Sequence, residues 1–145
     1  MTKFTSLTPN LAVDNIRDTV NFYTNMLGFT LKMAVTTEGQ MHPSLQDGNE
    51  YMWANVANGG AEIMFQTTKS FQDEFPFIDA KQSHASGTFY IQVEGIDALF
   101  TECSGKVNIT SPLTTTFYGM KEFYIKDNNG YDLCFGEPDP NFKPA

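Results

Sequence analysis

The sequence predicts an α+β fold built from two tandem copies of a βαβββ unit. Three observations predict it: an amphipathic helix set between alternating strands near the start, a second strand–helix–strands run from Gly87 onward, and a match between the two at an offset of eighty residues. In that overlay Leu11 falls on Ile91, Val13 on Val93, Ile16 on Ile96 and Thr8 on Thr88.

The first strand is expected over Leu7–Val13, where Leu7, Pro9, Leu11 and Val13 alternate with Thr8, Asn10 and Ala12. Ile16, Val20, Tyr23 and Leu27 then recur at spacings of four, three and four, the signature of a helix with one apolar face. Asp14 or Asn15 can cap its start, and Gly28 stands where a left-handed residue ends a helix. A second strand follows from Phe29 to Thr36, then a polar loop over Thr37–Asn49 carrying Gly39, Pro43 and Gly48. Strands Glu50–Ala57 and Ala61–Thr67 are joined by Asn58-Gly59-Gly60, a tight-turn signal.

The second copy opens with the alternating strand Gly87–Val93 and continues with a helical stripe of Ile96, Leu99, Phe100 and Cys103. Strands are expected around Val107–Thr110, Thr115–Tyr118, Glu122–Lys126 and Tyr131–Gly136. The last two are linked by Asp127-Asn128-Asn129-Gly130, which suits a type I′ hairpin. The chain's 145 residues suffice for one core rather than two independent ones. The expected organisation is therefore a single domain, 1–145, with module one at 4–67, a connector at 68–86 and module two at 87–137.

Composition narrows the function. Nine basic against seventeen acidic residues give a net charge of −8, and Arg17 is the single arginine. Phosphate recognition leans on arginine forks and basic patches, so no nucleic-acid partner is expected. No apolar run reaches the roughly 18 residues of a membrane-spanning helix, so no membrane partner is expected. Two cysteines, Cys103 and Cys134, are too few for a disulfide framework, and Met1–Ser6 lacks the apolar stretch of a secretory leader. A cytoplasmic setting with reduced thiols follows, and the sequon at Asn108 carries no weight. Twenty aromatic residues leave a flat or cationic small molecule as the open ligand class.

The run Leu11-Ala12-Val13-Asp14-Asn15-Ile16, then Asn21-Phe22-Tyr23 and Leu27-Gly28-Phe29, resembles the opening of the vicinal oxygen chelate superfamily, the glyoxalase / bleomycin-resistance / extradiol-dioxygenase group. Tyr118-Gly119, Phe123, Asp127-Asn128-Asn129-Gly130-Tyr131 and Leu133-Cys134-Phe135 resemble its closing hairpin. The resemblance implies a cupped mixed sheet with the helices on its convex face. It also implies a divalent ion in metal-using members, held by His, Glu or Gln on the first and last strands of each repeat. Here those positions fall on Thr8, Met64, Thr88 and Cys134, a set poorly suited to Mg²⁺, Mn²⁺ or Fe²⁺. Two soft ligands also fall short of a zinc site. No metal or other cofactor is expected, which points to the metal-free, bleomycin-resistance-like branch and, with it, a homodimer.

Strand alternation assigns the cup's lining. Thr8, Asn10, Tyr51, Trp53, Asn55, Met64, Gln66, Thr88, Tyr90, Gln92, Glu122, Tyr124, Asp132 and Cys134 share one face. Leu11, Val13, Ile63, Phe65, Phe89, Ile91, Val93, Phe123, Ile125, Leu133 and Phe135 share the other and form the core. The expected ligand site is Trp53, Met64, Gln66, Thr88, Tyr90, Gln92, Glu122, Tyr124, Asp132 and Cys134. Aromatic walls with two carboxylates suit an aromatic or cationic molecule. For each residue, ordinary core filling or a dimer contact is the competing reading.

His42 and His84 fit no ligand-spacing motif, and both thiols read as inert, Cys134 because nearby carboxylates raise a thiol pKa. The run Phe71–Phe77 is an aromatic turn that either lids the cup or meets a partner chain. A small-molecule binding protein is the first expectation. The alternative is an isomerase or lyase using unusual metal ligands (His42, His84, Glu122 or Asp132) or Glu122 as a general base. A third possibility is a module that binds a protein partner along the open edge of the cup.

Overall fold

The computed structural model describes residues 1–80 and 87–144. Contacts gather into two compact units, Met1–Ser83 and His84–Ala145, each with its own sheet. His84 and the end of the expected connector lie outside the described residues.

In the first unit β1 (Asn10–Val13), β2 (Thr30–Thr36), β3 (Met41–His42), β4 (Tyr51–Asn58) and β5 (Ala61–Thr67) form a sheet in the order β1-β5-β4-β2-β3. Helix α1 (Ile16–Leu27) carries the chain from β1 to β2, and β1 lies parallel to β5. Asn15 caps α1 by accepting from the Asp18 N–H at 2.9 Å, and Gly28 ends it at φ +71°. The apolar face read from the spacing is the buried one: Ile16, Val20, Tyr23 and Leu27 sit against Val13, Ala54, Val56, Ile63 and Phe65 in the core. Tyr23 anchors it, its ring 4.9 Å from Phe65 and 5.4 Å from Phe29.

Helix α2 (Thr68–Glu74) occupies the start of the expected connector. Thr67 caps it, and Phe71 is buried in a cluster with Ala12 and Ala80, with Phe75 packed on it. Ala12 lies on the face opposite Leu11 and Val13. The first half of the aromatic run is therefore the end of a short helix that covers the β1–β5 end of the face α1 leaves free, and Phe75–Phe77 follow it.

The second unit repeats the plan. Its elements are β6 (Phe89–Gln92), α3 (Ile96–Cys103), β7 (Asn108–Thr115), β8 (Met120–Lys126) and β9 (Asp132–Pro138), in the order β6-β9-β8-β7 with β6 parallel to β9. Ile96, Cys103, Phe123, Ile125, Leu133 and Phe135 are buried, with Phe123 5.2 Å from both Phe100 and Phe135. Each unit thus has helix-covered apolar residues on one face and the polar and aromatic set on the other. Phe89, Ile91 and Val93, expected in the core, are only half-buried, unlike Leu11 and Val13 at the equivalent edge of the first sheet.

Several element boundaries differ from expectation. β1 begins at Asn10, since Pro9 has no N–H to offer and contributes only its carbonyl, which accepts from Met64. Thr8 consequently precedes the strand. A short strand, β3, interrupts the expected loop. The two strands expected at 107–118 are a single β7 running through Pro112, tolerated because β7 is an edge and its register slips there.

Residues 116–119 form a turn instead. Thr116 N–H donates to the Met120 carbonyl at 2.8 Å and Gly119 N–H to the Thr116 carbonyl at 3.1 Å, with Gly119 at φ +88°. The Asp127–Tyr131 loop has the same arrangement, so it is a three-residue hairpin with a left-handed Gly130 and not a type I′ turn. Thr36–Gln40 is a third example. In each, the first residue's side-chain oxygen accepts the N–H four residues on: Thr36 from Gln40, Thr116 from Met120 and Asp127 from Tyr131.

Asn15→Ala removes one capping acceptor and should lower unfolding free energy by about 1 kcal/mol. Phe65→Ala empties the centre of the first core and should lower it by about 3–5 kcal/mol. Urea unfolding followed by circular dichroism checks both; equal losses would contradict the packing described.

Candidate functional site

The free face of the second sheet centres on Glu122. It lies on β8 opposite Gly136 of β9, and Gly136 in turn lies beside Gln92 of β6. Two residues away along each strand, Tyr90, Cys134 and Tyr124 form a parallel row. Tyr90 leans from its row across Gly136 and donates its hydroxyl to Glu122 Oε2 at 2.7 Å. A Cβ on Gly136 would overlap the Tyr90 hydroxyl, so this crossing requires a glycine there. Tyr118, from the turn before β8, donates to Glu122 Oε1 at 2.8 Å.

Glu122 is 3% exposed, whereas Tyr90 is 49% and Tyr118 54% exposed. Among the described residues no lysine, arginine or histidine pairs with the Glu122 carboxylate. A buried carboxylate is held by two phenols that are themselves about half-exposed.

The neighbouring groups respond to that charge. Burial, the hydrogen bond to Glu122 and the Glu122 charge push the Tyr90 phenol well above the usual tyrosine range. Tyr118 rises as well, first through its hydrogen bond to Glu122. Tyr124 is pushed up to about 12, chiefly by its hydrogen bond to the Cys134 sulfur. The Cys134 thiol is itself raised, mainly by burial and further by Glu122, while the Tyr124 hydrogen bond works against the rise. A fully buried thiol with a raised pKa is a poor nucleophile. Cys103 is likewise buried with its thiol raised, in the α3 core.

Of the expected ligand residues, the structure brings Tyr90, Glu122, Tyr124 and Cys134 together. Thr88, just before β6, and Gln92, at its end, are exposed, and the hydrogen bonds to the Glu122 carboxylate come from Tyr90 and Tyr118 instead. Asp132 shares the face but is paired with Lys126 at 2.8 Å, so it adds no net charge to the site. Glu122 is the one carboxylate of the expected acidic pair that keeps its charge uncompensated.

Trp53, Met64 and Gln66 belong to the first unit and have their own surroundings. Trp53 is half-buried on β4, opposite Gln66. Gln66 is 5% exposed, accepting from Asn10 Nδ2 at 2.9 Å and donating to Ser70 Oγ and Glu74 Oε2 of α2. Met64 stands between Asn10 and Asn55. Tyr51 leaves the expected face, because the register slips between Val35 and Thr36. Its hydroxyl accepts from Gln46 N–H and bonds His42 Nδ1 at 2.8 Å, and Arg17 of α1 lies over its ring. His42 is thereby tied into the 43–50 loop.

The positions at which the family's metal would be bound do not fit a divalent ion. Thr8 and Thr88 stand before their strands, Met64 offers a thioether and Cys134 a protonated thiol. Among the described residues no three of His, Cys, Asp and Glu converge.

Sequence reasoning missed Tyr118, reading it as the end of a strand. The signal was present: Thr116 and Gly119 stand eighty residues after Thr36 and Gly39, where the first copy's second strand ends and its polar loop begins.

A family profile described as glyoxalase/bleomycin resistance protein/dioxygenase superfamily matches residues 5–135. The chain belongs to that superfamily. Among solved structures, a protein of unknown function from Agrobacterium tumefaciens str. C58 is similar at 19% identity, covering 94% of this chain and 96% of that one with a TM-score of 0.68. A glyoxalase/bleomycin resistance protein/dioxygenase from Nocardioides aligns at 16% identity over 100% and 91%, TM-score 0.67. The bleomycin-binding protein of bleomycin-producing Streptomyces verticillus, solved with copper(II)-bleomycin, aligns at 21% identity over 97% and 100%, TM-score 0.57. At these identities the likeness establishes the superfamily fold. Nothing among curated proteins matches the chain.

The raised phenols set an alkaline signature. A tyrosine whose folded pKa exceeds the unfolded value of about 10 contributes its stability fully below that pH and loses it as pH rises through the folded value. For Tyr124 the loss falls between about 10 and about 12. Absorbance titration at alkaline pH should show Tyr90 and Tyr118 ionising late, and Glu122→Gln should bring both down. Unchanged titration in that variant would contradict the hydrogen bonds.

Proposed function

We propose that the protein binds a cationic, aromatic small molecule on the free face of its second sheet, without a resident metal, and sequesters it rather than transforming it. The observation that carries this reading is Glu122, a buried carboxylate with no cationic partner among the described residues, hydrogen-bonded by the half-exposed Tyr90 and Tyr118. A cation held over those rings gains both from the ring quadrupoles and from the charge beneath them. Phe117, 91% exposed and 5.0 Å from Tyr118, extends the aromatic surface.

Both Glu122 oxygens already accept phenol hydrogen bonds. A general base would have to surrender one of them, which favours an anchoring role over proton abstraction. The kinship with a bleomycin-binding protein supports the same ligand class. The reading includes a homodimer, as the family resemblance implies, in the cytoplasmic setting expected from the two cysteines. Among the described residues no helix is long and apolar enough to cross a membrane.

Calorimetric titration with metal-free bleomycin and with ethidium, a flat aromatic cation, tests the proposal. Saturable binding by at least one is expected, weakened about tenfold by Glu122→Gln and unaffected by a chelator. Affinity indifferent to Glu122→Gln, or abolished by chelation, would overturn it.

A further inference from the structure

Two matching turns, eighty residues apart, differ in what covers them. Thr36–Gln40 and Thr116–Met120 share their hydrogen bonds and a left-handed glycine, Gly39 and Gly119, each at φ +88°. Around Gly39 there is open space, and a Cβ there would meet nothing within 4 Å. Gly119 is buried, and a Cβ there would come within 2.7 Å of the Phe142 ring. The covered turn is the one that carries Tyr118, the donor to Glu122 Oε1. In the open turn the position equivalent to Tyr118 is Glu38.

The cover is the segment Asp139–Phe142, which follows β9 and lies beyond residues 5–135, the part of the chain that matches the superfamily profile. Met120 pairs with Pro138 at the end of the β8–β9 ladder, and the Asp139 N–H adds one further bond, to the Gly119 carbonyl at 2.8 Å. The Asp139 carboxylate then works in two directions. Oδ2 accepts from Thr115 Oγ1 at 2.8 Å, at the end of the strand leading into the turn, and Oδ1 accepts from the Asn141 N–H at 2.9 Å. The Phe142 N–H donates to the Asp139 carbonyl at 3.2 Å, which bends the chain back and lays the ring on Gly119. These bonds hold the Asp139 carboxyl below the usual carboxylate range, first through the Asn141 N–H. One residue thus fastens both ends of the turn, Thr115 on the way in and Gly119 on the way out.

We propose that Asp139 and Phe142 are positioning residues of the second-sheet site, pinning the 116–119 turn so that Tyr118 is kept on Glu122. A half-exposed phenol on a free turn would lose rotamer and backbone freedom each time it closed on the carboxylate. Fixing the turn beforehand removes that cost from ligand binding, because the aromatic surface is already assembled. The hydrogen bonds to Glu122 come from Tyr90 and Tyr118, so the strap acts through Tyr118 and not on the carboxylate itself. The inference rests on the reading of Tyr118 as part of the ligand surface.

The hydrogen bond to Glu122 raises the Tyr118 phenol, so its ionisation reports whether that bond is made. The test labels the full-length protein with tyrosine carrying ¹³C at Cζ and follows ionisation by NMR, with signals assigned from Tyr118→Phe and Tyr90→Phe. In Phe142→Ala, Tyr118 should ionise earlier, nearer the usual value of about 10, while Tyr90 still ionises late. Thr115→Val should shift Tyr118 the same way by less, and Phe142→Leu, which keeps an apolar cover, should restore most of the wild-type value. Ethidium binding should weaken about threefold in Phe142→Ala. It should weaken by a similar factor in Tyr118→Ala and no further in the double variant, because both changes act through one ring. Tyr118 ionisation unchanged in Phe142→Ala, or in Thr115→Val should the first variant not fold, would overturn the strap. So would Tyr90 falling together with Tyr118, the mark of general loosening, or fully additive ethidium losses. Failure of the wild-type protein to bind ethidium would count against the ligand reading, and the Tyr118 titration would still decide the strap.

Discussion

The parallel pairing of first and last strand in each half is the constraint on which the rest of the molecule depends. β1 lies beside β5 and β6 beside β9, although each pair is separated by most of its unit. A parallel neighbour cannot be reached by a tight turn, so the chain must cross over, and here a helix makes the crossing. That helix buries one face of the sheet and, by the two-residue period of strands, fixes which residues occupy the other. The same pairing sets Asn10 against Met64 and Tyr90 against Cys134, eighty residues apart on the first strands. Both free faces, and the candidate site on the second, are consequences of this one closure.

From an equivalent start the two free faces have diverged chemically. In the first unit the central row is Asn10, Met64 and Asn55, with amides oriented by carboxylates behind them. In the second it is Tyr90, Cys134 and Tyr124, with a carboxylate one position along that accepts from phenols. One face carries amides and a thioether, the other phenols around a buried carboxylate. Helix α2 adds a further difference by covering the β1–β5 end of the first face through Phe71 and Ala12.

The fold was largely legible because its signals are periodic. The helix at Ile16–Leu27, both of its caps, the turn at Gly59-Gly60 and the apolar face of each sheet follow from spacing that burial enforces. What escaped reading was set by position in the sheet or by single contacts. Pro112 looks like a strand breaker, yet an edge strand has no ladder partner on one side to lose. Asp132 was placed on the right face, but its pairing with Lys126 across the hairpin is invisible until the register is known. Tyr51 obeys alternation in sequence and breaks it in space, because a register slip turns it toward Arg17. At the candidate site, Glu122, Tyr90 and Tyr124 could be placed together by alternation alone. The reach of Tyr90 across Gly136 could not, since it depends on a missing side chain in another strand.

The three similar hairpins at Thr36, Thr116 and Asp127 bear on how the chain reaches this structure. Each closes on contacts three and four residues apart, reinforced by a side-chain oxygen of its own first residue, so each can form within microseconds. The parallel pairs must instead close loops of about fifty residues against chain entropy, the slower kind of event. The turns therefore act as early guides that align antiparallel neighbours, leaving one late step per half in which the first strand docks. Until it docks, β5 and β9 expose an unpaired edge, and the brief lifetime of that edge is where the folding chain is most open to self-association.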